Sequence, residues 1–271
     1  MSHHKDLTHF WIILFCLIGL TFISTISCNN FSNSTYTETR INRFEIVESP
    51  SLSIQNFNGD IFITTSGSNY IEIQADLLSA SEIDYQATQD ENKINIVTQL
   101  KNNPQFKFGP SPRVKLEIIT PSRTEIELAT QNGNIEVSGI EKSGNIFTAN
   151  GKIFMGKIKG VFNAKTMNGS IEVNATDIVT NLETSNGSIK FQGEFKLDNI
   201  NFMKTSNGNI HVHLGKNPDI RIDASTLNGT VSNNVHKLRT FSADKHRLLG
   251  GIGQNKVELY IQSHNGSITI K

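Results

Sequence analysis

Hydrophobic and polar residues alternate along most of the chain after residue 42, in short runs that end at Asn, Gly or Pro. Alternation with a period of two, and with β-branched residues at the apolar positions, is typical of half-buried β-strands. No amphipathic helix of useful length is predicted after residue 28, so the chain is predicted to be all-β. Before residue 126 the runs are irregular: "RFEIV" (43–47), "SLSIQNFNGDIFIT" (51–64), "YIEIQADL" (70–77), "KINIVTQL" (93–100) and "RVKLEIITP" (113–121).

From residue 126 onward the alternation becomes a repeat. A phrase of the form Thr-x-Asn-Gly-x-Ile returns after 18, 18, 18, 21 and 21 residues, and once more after 37. Its first column consists of small hydroxyl residues: Thr130, Thr148, Thr166, Thr184, Thr205, Thr226 and Ser263. Its main apolar column lies five residues later: Ile135, Ile153, Ile171, Ile189, Ile210, Val231 and Ile268.

These columns predict a β-solenoid, because no single unit can bury its apolar side alone and stacked units form a continuous core. Identical Thr and Asn residues at one corner could hydrogen-bond from unit to unit, and Gly would supply the positive φ of the turn. Asn-Gly is also the strongest signal for a two-residue hairpin, so an antiparallel β-sandwich or meander is the alternative. The prediction is a β-helix-like stack of about 18–21-residue rungs, with 43–125 and 126–271 as the irregular and repeated sections of one domain.

Residues 1–27 resemble a secretory signal peptide. An apolar run from Phe10 to about Phe22 is short for a bilayer span and ends in small residues. The segment "TISC" (25–28) resembles a bacterial lipobox, although Thr25 stands where Leu is usual, and it makes Cys28 the candidate site of lipid attachment. Cleavage near Ser27 and an uncleaved N-terminal anchor are the alternatives. Residues 28–42 are predicted to be a polar tether.

Charge and cysteine content narrow the classes of partner. The 25 basic and 25 acidic residues give a formal net charge of zero, which does not favour nucleic acid as a partner. The only cysteines are Cys16 and Cys28, and cleavage would remove the first. The mature chain therefore has no disulfide framework and no cysteine-based zinc site. The expected attachment is to a membrane, through a lipid or an anchor at the N-terminus.

Few residues are candidates for chemistry. His211 and His213 share one face of a strand, but the expected neighbours in the adjacent rungs include no Cys, Asp or Glu, so outward histidines are predicted rather than a metal site. Glu172 and Lys190 share a column and predict an ion pair between rungs. An insertion at about 233–255 holds the one basic concentration: His236, Lys237, Arg239, Lys245, His246 and Arg247. No catalytic residue, cofactor or metal ligand is predicted.

The last strand, "SITIK" (267–271), ends the chain without an obvious cap. The open end of a solenoid usually needs protection, because its unpaired backbone groups would template association. The expectation is that the 233–255 insertion shields this strand, or that the strand is used for self-association.

The repeat columns also carry a family resemblance. The chain resembles the bacterial putative-adhesin family of β-repeat domains of unknown function, which is related to the head domains of putative autotransporter adhesins. The resemblance covers roughly residues 43–271 and rests on "SIQNFNGDIFI" (53–63), "VKLEIITPSRTEIELATQNGNIEVSGI" (114–140), the repeated "TSNGSI", "IRIDASTLNGTV" (220–231) and "GGIGQNKVELYIQSHNGSITIK" (250–271). It implies a non-enzymatic role in adhesion or scaffolding at the cell envelope.

The functional hypothesis is an exported, membrane-anchored lipoprotein whose partner is an envelope protein or polysaccharide. One alternative is an envelope-stress sensor or regulatory scaffold, which would need a defined protein partner. A second is a carbohydrate-active β-helix enzyme, since fold alone does not exclude catalysis. The sequence directs the search for function to the variable column between the apolar positions, and to the insertion.

Overall fold

The computed structural model describes residues 37–101 and 111–271 as 21 strands and one short 3₁₀ helix at Ala80–Glu82. The strands of the irregular section are β1 (Thr37–Glu45), β2 (Ser51–Asn56), β3 (Ile61–Ser66), β4 (Tyr70–Leu78), β5 (Ile83–Asp90), β6 (Lys93–Leu100) and β7 (Arg113–Pro121). The predicted signal peptide, Cys28 and the first part of the predicted tether lie outside the described residues. Residues 37–42 of the segment predicted as a tether are part of β1.

The repeat section contributes the other fourteen strands. They are β8 (Glu125–Asn132), β9 (Ile135–Ser138), β10 (Ser143–Asn150), β11 (Ile153–Asn168), β12 (Ile171–Asn186), β13 (Ile189–Phe195), β14 (Asn199–Asn207), β15 (Ile210–Leu214), β16 (Ile220–Asn228), β17 (Val231–Asn233), β18 (Arg239–Ala243), β19 (Arg247–Ile252), β20 (Val257–Asn265) and β21 (Ile268–Ile270). Among the described residues, no helix is long and apolar enough to cross a bilayer.

Copies of the repeat pair in parallel and in register, which confirms the solenoid for this section. Thr148 lies opposite Thr130 and Thr166, and Ile153 lies opposite Ile135 and Ile171. Parallel strands cannot be joined by a two-residue hairpin, so the meander is wrong for the repeat. Antiparallel pairs occur only towards the two ends of the stack: β1–β4, β4–β7, β5–β6, β16–β19 and β18–β19.

Each rung contributes a strand to each of two stacks. The first stack runs in the order β5, β6, β2, β8, β10, the second halves of β11 and β12, β14, β20, β16, β19 and β18. The second stack runs in the order β1, β4, β7, β3, β9, the first halves of β11 and β12, β13, β15, β21 and β17. Because β11 and β12 pass from one stack into the other, all 21 strands form one continuous sheet.

Part of the irregular section belongs to the same series of rungs. Strands β2 and β3 flank the pair Asn58-Gly59 and lie directly on β8 and β9 of the repeat. Strands β6 and β7 lie on the other side of β2 and β3. The two sections therefore share one core, in which Leu52, Ile54 and Ile61 are as completely buried as the repeat isoleucines.

The last rung is out of sequence order. Strand β20 lies between β14 and β16, and β21 lies between β15 and β17. The final strand is thus paired along both edges within the chain. It is covered by β15 and β17, so the shield expected from the 233–255 insertion is not what protects it, and self-association through this strand stays a prediction without an open edge to support it. The insertion instead covers the outer edge of β16 with the antiparallel hairpin β18–β19. Val231 and Asn233 are only partly buried because β17 is the edge strand of the second stack.

The corner of the solenoid is built by the Thr-x-Asn-Gly phrase. Thr184 is buried, and its Oγ1 donates a hydrogen bond to the carbonyl of Gly169 at 2.8 Å. The exposed Asn186 donates from Nδ2 to Oδ1 of Asn168 at 2.9 Å. The same hydrogen bond between side-chain amides joins every neighbouring pair in the spatial order Asn132, Asn150, Asn168, Asn186, Asn207, Asn265 and Asn228. The predicted asparagine ladder is therefore present, and it follows the spatial order of the rungs.

Candidate functional site

The residues selected from the sequence are distributed over the second stack and the insertion. His211 and His213 are exposed on β15, beside Lys190 and Gln192 as expected. On their other side lies β21, with Thr269 beside His211, and not the 231–234 segment that sequence order suggested. Across residues 37–101 and 111–271, no group of three His, Cys, Asp or Glu side chains is arranged to hold a metal ion.

The predicted ion pair in the variable column is present. Lys190 Nζ lies 2.6 Å from Glu172 Oε1, and both side chains are about half exposed. A second pair between rungs, Lys165 with Glu183 at 3.1 Å, lies on the first stack. Exposed pairs of this kind contribute roughly 0.2–1 kcal/mol to stability, so they help to fix the register and leave the surface electrically neutral.

The basic residues of the insertion do not act together. Arg247 forms an ion pair with Asp223 of β16 at 3.0 Å, and Arg239 donates to the carbonyl of Gly253 at 2.9 Å. Asp244 accepts backbone hydrogen bonds from His246 and Arg247, which hold the pKa of its carboxyl below the usual range. These contacts stabilise the hairpin. Two of its cations, Arg247 and Arg239, are therefore engaged by groups of the same chain.

Exposed apolar side chains mark a different surface. On the strands of the repeat, the outward side of the first stack carries Phe147, Val161, Met167, Ile200, Phe202, Leu227 and Tyr260, each at least 37% exposed. Among the described repeat strands of the second stack, Phe154 alone is comparably exposed. Apolar exposure concentrated on one side makes the outward face of the first stack the candidate contact surface.

A groove follows this surface along the axis of the stack. Two cavities of about 660 and 320 Å³ adjoin each other and share Asn181 and Glu183 in their walls. One column of residues, in register on seven successive strands, runs through both cavities. We call it the groove column: Glu127, Asn145, Asn163, Asn181, Phe202, Tyr260 and Asp223. Six steps between strands of about 4.8 Å make the groove roughly 29 Å long.

Two aromatic rings lie in the wider half of the groove. Phe202 and Tyr260 stack with their centroids 5.4 Å apart and their planes 16° from parallel. The Tyr260 hydroxyl donates to Glu258 Oε2 at 2.7 Å, and this hydrogen bond raises the pKa of the phenol. The pair forms an exposed apolar surface, and the hydrogen bond to Glu258 fixes one of its rings in position.

Side-chain amides occupy the narrower half. Asn163 donates from Nδ2 to Oδ1 of Asn145 at 2.9 Å, which continues the pattern of the corner ladder. The next amide in the column, Asn181, makes no side-chain hydrogen bond to any described residue, although it lies in register with Asn163. An exposed amide offers both a donor and an acceptor to a bound molecule. Asn181 therefore adjoins the aromatic pair with its hydrogen-bonding groups available.

The groove as a whole carries no net charge. Its walls include three acidic side chains (Glu127, Glu183 and Asp223) and three basic ones (Lys165, Lys204 and Arg247). Four of these six are engaged in the two ion pairs already described. Rings, amides and balanced charges can bind a neutral molecule by stacking and hydrogen bonding.

The groove is hard to predict from the sequence for two reasons. The variable column that the repeat singles out follows Asn-Gly and faces outward on the second stack, whereas the groove lies on the first. Phe202 and Tyr260 are far apart in the sequence, and they become neighbours only because β20 lies beside β14. The available signal was an aromatic residue at an outward, normally polar position, in "NFM" (201–203) and "LYI" (259–261).

Comparisons with known proteins were made for the whole chain. No family model and no curated protein matches it. Among solved structures, a putative cell adhesion protein from Clostridium sporogenes is 15% identical, with a TM-score of 0.36 over 87% of this chain and 99% of that one. A putative adhesin from Bacteroides fragilis (11%, TM-score 0.42) and a putative lipid binding protein from Parabacteroides distasonis (11%, TM-score 0.38) each match over 86% of this chain and 97% of their own.

Proposed function

We propose that the protein is an exported, non-enzymatic component of the cell envelope that is anchored by lipid at Cys28 and uses its first stack for adhesion or scaffolding. One observation carries the proposal: a groove of roughly 29 Å on a rigid sheet collects the exposed aromatic and amide side chains on one side of the molecule. The hydrogen-bonded strands of a scaffold fix the spacing of its surface groups, so a partner would meet a preformed surface.

The anchor is supported by the leader. The apolar run, the small residues before Cys28 and the polar segment after it match the order of a lipoprotein precursor. Attachment near residue 28 and a short polar segment before β1 would hold the solenoid close to the membrane. A single lipid chain binds a membrane only weakly, so stable anchoring requires the several chains that lipoprotein processing adds.

The anchor is tested by metabolic labelling with a palmitate analogue and by membrane fractionation of cells that express the full chain. We expect labelled, membrane-bound protein from the native sequence, and unlabelled protein released from the membrane with Cys28→Ala. Cys16→Ala is the matched control, because that cysteine would be removed with the leader. Membrane attachment that survives Cys28→Ala would show an uncleaved anchor instead.

The adhesive surface is tested by capture of isolated envelope material on the immobilised lipid-free chain, residues 29–271. We expect a variant with both Phe202→Ala and Tyr260→Ala to lose most of the capture, and Phe154→Ala on the second stack to retain it. All three positions are exposed, so neither variant disturbs the core. Equal capture by both variants would show that the first stack is not the adhesive surface. Turnover of an envelope polysaccharide by the chain would favour the enzyme alternative.

A further inference from the structure

We propose that the groove binds a linear, neutral polysaccharide laid along the axis of the stack. This inference rests on the proposed function and names its ligand. The shape of the groove, the chemistry of its walls and its charge all favour such a ligand.

Shape favours a linear polymer. The groove column is one residue wide and crosses seven strands at regular steps of about 4.8 Å. A pyranose ring in an extended glycan advances its chain by a length close to one such step. Successive sugars could therefore meet successive rungs in similar positions, and many weak contacts would add along one chain.

Wall chemistry favours sugar rings. The C–H face of a pyranose is apolar and packs against aromatic rings, while its hydroxyl groups both donate and accept hydrogen bonds. Phe202 and Tyr260 present 46% and 38% of their surface to solvent as a stacked pair. Asn181 on the neighbouring strand has an amide without an internal partner among the described residues, and Gln262 lines the same cavity. The groove thus combines aromatic and amide groups, as a polyhydroxylated chain requires.

Charge and backbone pairing argue against other polymers. A nucleic acid or an anionic polysaccharide would need several unpaired cations. Of the three in the groove, Lys165 and Arg247 are neutralised by Glu183 and Asp223, which leaves Lys204 alone. A peptide could not add as a strand, because the strands beneath the groove are paired along both edges. A neutral, hydroxyl-rich ligand can pack on the rings and hydrogen-bond to the amides. It needs neither unpaired cations nor a free strand edge.

Affinity electrophoresis tests the proposal. The lipid-free chain, residues 29–271, is run through native gels that each contain one soluble polysaccharide. The neutral probes are mixed-linkage β-glucan, galactomannan, arabinoxylan and the neutral polysaccharide extracted from the envelope of the producing cells, and polygalacturonate is the anionic probe. We expect at least one neutral probe to retard the chain. Phe202→Ala with Tyr260→Ala should weaken that binding by about tenfold or more, and Asn181→Ala by several-fold.

Phe154→Ala is the matched control and should bind as the native chain does, since it removes a ring of similar exposure from the second stack. Thermal unfolding checks that each variant is folded. Retardation by no neutral probe, or undiminished binding by the double variant, overturns the proposal. Retardation by polygalacturonate alone, lost in Lys204→Ala, overturns it in favour of an anionic ligand. A dimer in light scattering that the double variant dissociates assigns the groove to a second copy of the chain.

The outcomes also separate this inference from the function on which it rests. If envelope capture depends on Phe202 and Tyr260 while no neutral polysaccharide binds, the ligand is wrong and the adhesive surface stands. If a neutral polysaccharide binds but Cys28→Ala leaves membrane attachment unchanged, the ligand stands and the lipid anchor fails.

Discussion

The glycine of each Asn-Gly pair lies where consecutive rungs approach most closely. A Cβ added to Gly169 would overlap the carbonyl oxygen of Gly151, and one added to Gly187 would overlap that of Gly169. A positive φ was expected to explain why glycine follows each asparagine, but it is not the general reason. The backbone φ is not positive at these glycines of the Asn-Gly pairs: Gly133, Gly151, Gly169, Gly187 and Gly208. The repeat therefore requires glycine because a side chain would force the rungs apart.

Gly169→Ala should destabilise the protein strongly. The new methyl group would meet backbone atoms on a rung that hydrogen bonds hold in place, so we expect a loss of about 3 kcal/mol or more in the free energy of unfolding. Urea denaturation measures the loss. Gly67→Ala is the matched control, because a Cβ at that glycine would meet nothing within 4 Å. Equal stability of the two variants would show that the corner can open.

Tyr85 gives the stability a dependence on alkaline pH. Burial raises the pKa of its phenol, whose hydroxyl donates to Asn42 Oδ1 at 2.8 Å, and the nearby Arg40 opposes the shift. A group whose pKa is raised on folding contributes stability that is complete below its unfolded pKa, about 10 for tyrosine, and is lost as pH rises towards the folded pKa. The folded state should therefore weaken above about pH 10 because unfolding lets this phenol ionise.

Tyr85→Phe tests this dependence. At neutral pH the variant should be less stable by roughly 1–2 kcal/mol, because the buried Asn42 loses its donor. Between pH 8 and about pH 11 its free energy of unfolding should fall less than that of the native chain. Chemical denaturation at both pH values measures how far the free energy of unfolding falls with pH in each protein. All other tyrosines are present in both proteins, so the difference reports on Tyr85. Parallel slopes would show that the Tyr85 pKa is not raised by folding.

At the scale of elements, the last rung (β20 and β21) fills a gap between two earlier rungs. In sequence, β16 is the next strand of the first stack after β14, yet both strands pair with β20 and not with each other. The same holds for β15 and β17, which pair with β21. Four strands therefore depend on the C-terminal segment 257–271 for the hydrogen bonds of one edge.

A chain truncated after Lys256 should fold with an open slot and accept the missing rung as a peptide. Unpaired strand edges template the addition of a strand, and the columns of Ile and Val would set its register. We expect a lowered midpoint of thermal unfolding that a synthetic peptide of residues 257–271 restores. A peptide carrying Ile261→Asp and Ile268→Asp is the control, because both side chains are buried in the intact protein. A truncated chain with native stability would show that the rungs close over the gap.

On the scale of the whole molecule, the fold behaves as a one-dimensional stack. Each rung contacts only its neighbours, so local stability should be greatest where both neighbours are present. Strand β1, whose one partner among the described strands is β4, lies at one end of the second stack, and the hairpin β18–β19 lies at one end of the first. Every described residue of β18 is exposed, in keeping with its place at the edge.

Hydrogen exchange should reveal this arrangement. Amides of β11 and β12 should exchange most slowly and those of β18 quickly, because the former lie in the middle of both stacks. Chain termini usually fray, but β20 and β21 should be protected nearly as well as the middle rungs, since strands flank them on both sides. Mass spectrometry of peptic fragments measures this protection. Fast exchange throughout 257–270 would contradict the inserted position of the last rung.

The regular spacing of Thr, Asn, Gly and Ile in the repeat was enough to predict much of the architecture. Columns that recur at a nearly constant spacing can all be buried only if the units stack in parallel, so the sequence by itself determined the solenoid, the core isoleucines and the asparagine ladder. It also indicated the Glu172–Lys190 pair, because β12 and β13 belong to the part of the repeat that stacks in sequence order. The buried columns follow from periodicity alone, whereas this pair also depends on which rung is next to which.

The order of the rungs was decided only in the tertiary structure. Each copy offers its neighbours nearly the same Thr, Asn and Ile columns, so local pairing energies hardly distinguish β20 from β16 as the partner of β14. The choice between β20 and β16 is made by the packing of the whole chain. The insertion covers one edge of β16, and the C-terminal strand β20 occupies the position between β14 and the other edge of β16. The groove depends on that choice, because Phe202 and Tyr260 stack only when the last rung lies between its two predecessors.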